Sequence, residues 1–220
     1  MPGDLRAGLE LVPSIPGIDA SGVLGPVAAL FQPKQERFVT ALENTAGSRL
    51  FQVVVRDDEI ASQILQYCRT ERGGRLTLLP LEQIGRVITE PQYPKDSRCF
   101  PLVQCIEFDE SVRPIMISVF GNTLLCEDLQ TATEIAHDYN MNCVTLAGEK
   151  VGKRGSMRGG YFDSHSSRLR LWRSVQKKRD LVRMNIICND QINQKKSAQD
   201  DIRKKLEMIH KVMMDVIDEL

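Results

Sequence analysis

Five glycines fall close together in residues 146–162, a segment that reads LAGEKVGKRGSMRGGYF. Glycine destabilises a helix or a strand unless the backbone must adopt a positive φ or another main chain must approach closely. Val151 and Met157, which are compatible with β-structure, stand between the glycines. This glycine segment therefore predicts short strands against whose main chain something docks, and we expect the rest of the chain to be organised around it.

Three interpretations of the glycine segment compete. A flexible surface loop is the simplest. A phosphate-binding loop needs GxxxxGK followed by Ser or Thr, but Gly148 and Gly152 are one residue too close and Arg154 stands where the hydroxyl is required. The phosphate-loop interpretation therefore fails on its chemistry. An oligomer interface, in which glycines permit close backbone contact and apolar neighbours supply area, stays open beside the surface loop.

Alternating strand and helix patterns precede the glycine segment and predict an α/β domain. Strand patterns occupy residues 23–31, 50–55, 76–79, 123–126 and 142–146, and helical patterns occupy residues 33–45, 57–69, 111–120 and 128–140. Residues 82–101 contain Pro91, Pro94 and Pro101 among many polar residues. They predict a loop that joins two lobes.

The pattern changes after residue 164 to that of a single long helix. From Ile192 a strict three-four spacing is kept by Lys195, Gln199, Ile202, Leu206, Ile209, Met213, Val216 and Leu220. This spacing is typical of a coiled-coil seam, polar at two early positions and apolar thereafter. The predicted organisation is an irregular arm over residues 1–17, an α/β domain over residues 18–163 and a coiled-coil arm over residues 164–220.

Motifs in the glycine segment resemble the dimerisation signature of the hinge domain of structural maintenance of chromosomes (SMC) proteins. The resemblance is carried by Gly148, Gly155 and the Gly159–Gly160 pair, which stands before two aromatic residues and an aspartate. Further segments agree in order and spacing, at residues 22–27, 45–51, 74–81 and 119–123. Together they cover roughly residues 18–167, and within the family they are most similar to cohesin subunits.

The resemblance implies a two-lobed α/β SMC hinge domain followed by a long coiled-coil helix. It implies a dimer interface formed by Gly148, Gly155, Met157, Gly159, Gly160 and Tyr161. The implied partner is the hinge of the other cohesin SMC subunit, in a nuclear, chromosome-associated complex that acts in sister chromatid cohesion and chromosome organisation. A homodimeric hinge of a non-cohesin SMC protein is the alternative, and a nucleotide-binding enzyme is a remote third.

Positive charge is concentrated in one part of the chain. Residues 150–183 hold 11 basic and 2 acidic side chains, whereas residues 1–149 hold 12 basic and 20 acidic ones. The candidates for sequence-independent DNA contact are Lys150, Lys153, Arg154, Arg158, Arg170, Arg173, Lys177 and Lys178. An ordinary solvated helix face would show a similar run of charge, although usually with both signs mixed, so both interpretations stay open.

No catalytic, metal-binding or membrane motif accompanies these features. The six cysteines form no CxxC pair, which argues against a zinc ribbon and favours reduced core residues. The three histidines form no HExxH motif, and Ser156 lacks the GxSxG frame of a hydrolase. The ATPase head motifs of full-length SMC relatives are absent as well, and no apolar run is long enough to span a membrane. We therefore expect an association module rather than an enzyme, with no cofactor, metal or small-molecule substrate.

Overall fold

The computed structural model describes residue 15 and residues 17–70, 75–160 and 166–218. The chain divides into two compact units, Met1–Trp172 and Arg173–Leu220. The strands, numbered along the chain, are β1 Val23–Pro26, β2 Phe31–Pro33, β3 Val53–Val55, β4 Leu78–Pro80, β5 Cys99–Pro101, β6 Ile106–Phe108, β7 Thr123–Cys126, β8 Asn142–Thr145, β9 Lys150–Val151 and β10 Met157–Arg158. The α-helices are α1 Val39–Ala46, α2 Asp58–Thr70, α3 Leu81–Val87, α4 Arg113–Met116, α5 Leu129–Tyr139 and α6 Arg168–Asp218.

The first lobe is a three-stranded sheet of order β1-β3-β4, in which β3 pairs antiparallel with β1 and parallel with β4. Helix α2 makes the crossover between the two parallel strands. It buries Ile60 and Ile64, four residues apart on one face, against Val53 and Val55 of the central strand. The carboxylate of Asp57 accepts a hydrogen bond of 2.9 Å from the backbone N–H of Ile60, which lowers the pKa of that carboxyl. Residues 57–58 thus mark the helix start, as the sequence predicted.

The second lobe is a five-stranded sheet of order β10-β9-β8-β7-β5. Strands β7 and β8 are parallel and are connected by α5, while β5, β9 and β10 are added in antiparallel pairing. Asp128 caps α5 by accepting a 2.8 Å hydrogen bond from the backbone N–H of Thr131. Asn140 ends the helix in the left-handed conformation at φ 50°. These local signals explain why this part of the chain was predictable from its sequence.

The two lobes share a hydrophobic core. Strand β2 of the first half of the chain pairs with β6 of the second half, which places Phe31 opposite Phe108. Phe31 also packs edge-on against Phe120, with ring centroids 5.2 Å apart. The same buried cluster contains Val54 of the first sheet and Val144 of the second. The lobes are therefore two sheets over one core rather than two independent domains.

Residues 82–101 differ from the sequence prediction of a joining loop. Helix α3 occupies Leu81–Val87 and strand β5 occupies Cys99–Pro101. Leu81 and Ile84 of the helix pack against the shared core. The predicted helix at 111–120 is present as a 3₁₀ turn, α4 and a π-helical turn over Ile117–Gly121.

The second unit consists of α6 from Arg173 onward. Its apolar side chains at Ile202, Leu206, Ile209 and Met213 are exposed, with 58–65% of each accessible. They keep the three-four spacing of the predicted coiled-coil seam. Among the described residues, no helix is both long enough and apolar enough to cross a membrane.

Candidate functional site

The glycine segment folds into a β-hairpin at one edge of the five-stranded sheet. Strands β9 and β10 pair with Met157 opposite Val151 and Arg158 opposite Lys150. The turn is closed by a 2.7 Å hydrogen bond from the backbone N–H of Gly152 to the carbonyl of Ser156. Strand β10 is the outermost strand, and both of its residues are exposed. The hairpin therefore presents a free strand edge to solvent in the described part of the chain.

Met157 gives this edge an apolar side chain. It lies in β10 with 59% of its surface exposed, whereas its cross-strand neighbour Val151 is buried in the lobe core. An exposed apolar side chain on an unpaired strand edge is a ready position for another chain to add a strand. Tyr161, the aromatic residue predicted for the same interface, lies outside the described residues.

The glycines of the hairpin have reasons within their own chain. Gly148 has φ +92°, and a side chain there would overlap Asn44 and Thr40 of α1. The carbonyl of Gly148 accepts a 2.8 Å hydrogen bond from the Asn44 side-chain amide. Gly155 and Gly160 also adopt positive φ, of +83° and +136°. Packing against α1 and turn geometry are therefore sufficient reasons for Gly148 and Gly155, and the close approach of a partner stays a prediction.

Gly159 is different, because its φ is not in the left-handed region. A Cβ atom there would meet only the Glu149 side chain, at 3.4 Å from its Cγ. Of the four glycines predicted for the interface, it is the one with the weakest requirement inside this chain.

The basic residues predicted to contact DNA fall into three environments. Lys153, Arg154 and Arg158 are exposed on the hairpin and form no ion pair with any described residue. Lys150 is half-buried, and burial lowers the pKa of its ammonium group, with further lowering from the nearby cations of Arg158 and Arg49.

The remaining candidates lie on α6. Arg170 is half-buried and its Nε donates to the Glu36 carboxylate at 2.9 Å, so part of its charge is compensated. Lys177 and Lys178, in the second unit, are exposed. Arg173 is partly buried. The sequence treated these residues as equivalent, but Arg170 is ion-paired, whereas the hairpin cations and Lys177 and Lys178 form no ion pair with any described residue.

Sequence reasoning missed Glu43, which holds the start of α6 in the first unit. This carboxylate is 3% exposed. It accepts hydrogen bonds from the backbone N–H of Arg168 at 2.9 Å and of Leu169 at 3.3 Å, and from the hydroxyl of Ser167. An anion at a helix N-terminus satisfies the free N–H groups and complements the helix dipole. No local signal could have found it, because its partners lie more than 120 residues along the chain.

Aromatic packing holds the same first turns of α6. Leu169 is buried, and Trp172 packs edge-on against Phe51 with ring centroids 6.1 Å apart. The guanidinium of Arg168 lies 5.9 Å from the centre of the Phe51 ring. Trp172 therefore belongs to the buried core of its unit.

Five of the six cysteines are core residues, as the sequence predicted, and the sixth is not. Cys68, Cys99, Cys105, Cys126 and Cys143 are buried and unpaired, and Cys188 is exposed on α6. Burial raises the pKa of the Cys105 thiol to about 11. Within the described residues, no cluster of three or more His, Cys, Asp or Glu side chains could hold a metal ion.

Residues 20–136 match the family model for the SMC proteins flexible hinge domain. The chain belongs to the SMC hinge family. The SMC hinge described here is 36% identical to structural maintenance of chromosomes protein 3 of Arabidopsis thaliana, over 99% of this chain and 17% of that protein. It spans less than a fifth of the length of the curated relatives it matches. The matched model describes the hinge and not the ATPase head.

Two solved structures support the same assignment of this SMC hinge. The folded elbow of cohesin superposes with a TM-score of 0.70 at 26% identity, covering 84% of this chain and 27% of that one. The asymmetric dimer of the Geobacillus stearothermophilus SMC hinge domain gives a TM-score of 0.63 at 25% identity, covering 81% and 75% of the two chains. The two-lobed architecture predicted from the sequence is therefore that of known SMC hinges.

Proposed function

We propose that this SMC hinge joins two SMC proteins by adding a partner strand at the free edge of β10. The observation that carries the proposal is the position of Met157, exposed on the outermost strand of the five-stranded sheet. Main-chain hydrogen bonds along such an edge supply affinity, and exposed side chains on the strand supply specificity. Gly159 comes directly after β10, and because it lacks a side chain it leaves room for the partner backbone.

The partner in this proposal is the hinge of the other cohesin SMC subunit. Support comes from the similarity to the Arabidopsis SMC protein 3 over nearly the whole chain and from the likeness to the cohesin elbow structure. Pairing would join the arms of two SMC proteins in a chromosome-associated, nuclear complex acting in sister chromatid cohesion.

A homodimer is the second candidate. It is favoured by the likeness to the Geobacillus hinge, which is a dimer of one hinge domain. The two candidates use the same β10 edge and differ only in whether a second copy of this chain can occupy it.

The substitution Met157→Glu tests the strand-edge proposal. Strand addition would bury this carboxylate in the interface without a partner charge. We therefore expect partner affinity to fall by at least about tenfold. Val87→Glu is the matched control, because Val87 is an exposed apolar residue, 81% accessible, on α3. Sedimentation velocity of the pair measures both variants. Equal association of the Met157→Glu variant and the control would show that the interface lies elsewhere.

We further propose that the hairpin contacts DNA without reading its sequence. Lys153 and Arg154 support this, since both are exposed in the turn and free of ion pairs in the described structure. Cationic side chains bind backbone phosphates by releasing counterions, so affinity should fall with salt by about one log-log unit for each phosphate neutralised.

Fluorescence anisotropy with a short duplex at low salt tests this DNA contact. We expect Lys153→Gln combined with Arg154→Gln to weaken binding and to reduce the salt slope by about two. The Lys177→Gln and Lys178→Gln pair removes the same charge from the helix and serves as the matched comparison. Unchanged affinity and slope in the hairpin variant would leave these cations as solvated surface.

A further inference from the structure

A cavity of about 240 Å³ lies between the hairpin and helix α1. Every described residue that lines it is charged, an amide or a glycine. Its described cationic side chains are Lys150, Arg158 and Arg168, and Gly159 and Gly160 also line it. Because no described lining residue carries an aromatic or large apolar side chain, this part of the cavity offers little for a nucleobase or an apolar ligand to pack against. Its chemistry fits a small anion.

Glu43, the one carboxylate among the described lining residues, already has hydrogen-bond donors of its own. Both oxygens of Glu43 accept hydrogen bonds from the first residues of α6, at 2.9 Å from the Arg168 backbone N–H and 3.3 Å from that of Leu169. The Nε of Arg168 lies 3.4 Å from the same carboxylate. The helix start and the guanidinium of Arg168 therefore compensate the negative charge of Glu43. Lys150 and Arg158 keep their positive charge.

A further cation and a carboxylate lie near the residues of the cavity. Arg49 lies close enough to Lys150 to lower the pKa of its ammonium group, and its own guanidinium donates to the carbonyl of Ser118 at 2.8 Å. Glu149 lies beside Gly159, and its carboxylate accepts a 3.2 Å hydrogen bond from the Thr145 hydroxyl. Glu149 does not line the cavity.

Lys150 is held in an unfavourable electrostatic position. Its side chain is half-buried, and its only hydrogen bond in the described structure goes to the carbonyl of Asn44 at 3.4 Å. A cation partly removed from water and next to other cations is costly unless an anion accompanies it. An oxyanion between Lys150 and Arg158 would compensate both charges.

We propose that this cavity is a binding site for a phosphate-type oxyanion, held between Lys150 and Arg158. A guanidinium and an ammonium group are the two cations that bind phosphate oxygens best, the first in a fork and the second as a point charge. The absence of side chains at Gly159 and Gly160 leaves space for the oxygens beside the main chain. The phosphate is either a free compound or a group on a DNA backbone, and in the second case the site rests on the DNA contact proposed above.

An NMR titration of the whole chain with inorganic phosphate, at constant ionic strength against chloride, tests the site. We expect saturable shifts of the Gly159 and Gly160 amide signals. Lys150→Gln combined with Arg158→Gln should weaken binding at least about tenfold, whereas Lys153→Gln with Arg154→Gln should leave it unchanged. If the first variant unfolds, Arg158→Gln alone replaces it, because that side chain is exposed. Equal shifts with chloride, or equal phosphate binding in both variants, would overturn the proposal.

A second titration with a short DNA duplex identifies the source of the phosphate. Displacement of inorganic phosphate from the glycine signals by DNA assigns the site to the nucleic acid backbone. DNA binding that leaves the phosphate signals in place assigns the site to a free phosphate compound. DNA binding lost only on removal of Lys153 and Arg154 would confirm DNA contact independently of the cavity, so failure of either proposal can be recognised by itself.

Discussion

Glu43 shows how much one buried carboxylate can determine in this hinge. It lies on α1 and satisfies the N–H groups at the start of a helix more than 120 residues away. The helix start would otherwise keep free N–H groups in a nearly buried position, where water cannot satisfy them. Glu43 therefore ties the beginning of α6 to the hinge core, together with Leu169 and Trp172.

The substitution Glu43→Ala should lower the free energy of unfolding of the hinge by about 2–4 kcal/mol, because charge-assisted hydrogen bonds are lost and buried N–H groups are left without a partner. Glu36→Ala is the matched control, since Glu36 is also a carboxylate paired with the start of α6, at Arg170, but its side chain is 62% exposed. We expect the control to change stability by less than about 1 kcal/mol. Urea denaturation followed by circular dichroism measures both variants. Equal losses would contradict the assigned role.

At the scale of helices and strands, most of the fold was predictable because local signals agree with the packing. Asp57 and Asp128 mark helix starts, and the spacing of Ile60 and Ile64 marks a buried face. Helix α3 was missed because it is short, contains Gly85 and stands next to a proline-rich stretch. Its stability comes from Leu81 and Ile84 packed on the core, which no local pattern reveals.

The hairpin shows the limit of reading glycines from sequence. Clustered glycines correctly predicted strands, but they could not reveal whether the backbone freedom serves a partner or the chain itself. Gly148 is required by Asn44, about a hundred residues earlier in the chain, and Gly155 by a turn. The sequence also could not show which basic residues form ion pairs, because the partner of Arg170 is Glu36, which lies far from it along the chain.

Deletion of residues 192–220 should shift the thermal midpoint of the hinge by less than about 2 °C. The apolar side chains described in this segment, among them Ile202, Leu206 and Ile209, are exposed, and the segment belongs to the second unit. The deletion should also remove self-association through the apolar stripe, since such side chains gain about 1.5–3 kcal/mol each when buried. Differential scanning calorimetry and light scattering measure the two effects. A fall in the midpoint of more than about 5 °C would show that the segment stabilises the hinge.

At the scale of the whole molecule, the excess positive charge and the free strand edge occur in the same part of the chain. The excess of basic residues falls in residues 150–183, which include the hairpin, while residues 1–149 are net acidic. The outer strand of the hairpin is also the free edge of the five-stranded sheet. One edge of the hinge unit therefore combines the surface proposed for a partner hinge with the cations proposed for phosphate groups.

Native mass spectrometry of this hinge, alone and mixed with the hinge of the other cohesin SMC subunit, tests the central claim of pairing most directly. We expect the mixture to give a one-to-one heterodimer as its main species, and we expect Met157→Glu, but not Val87→Glu, to reduce it. Persistent homodimers that do not exchange with the added hinge would favour the homodimeric alternative. A chain that stays monomeric alone and in the mixture, at concentrations where hinges are expected to pair, would contradict the account.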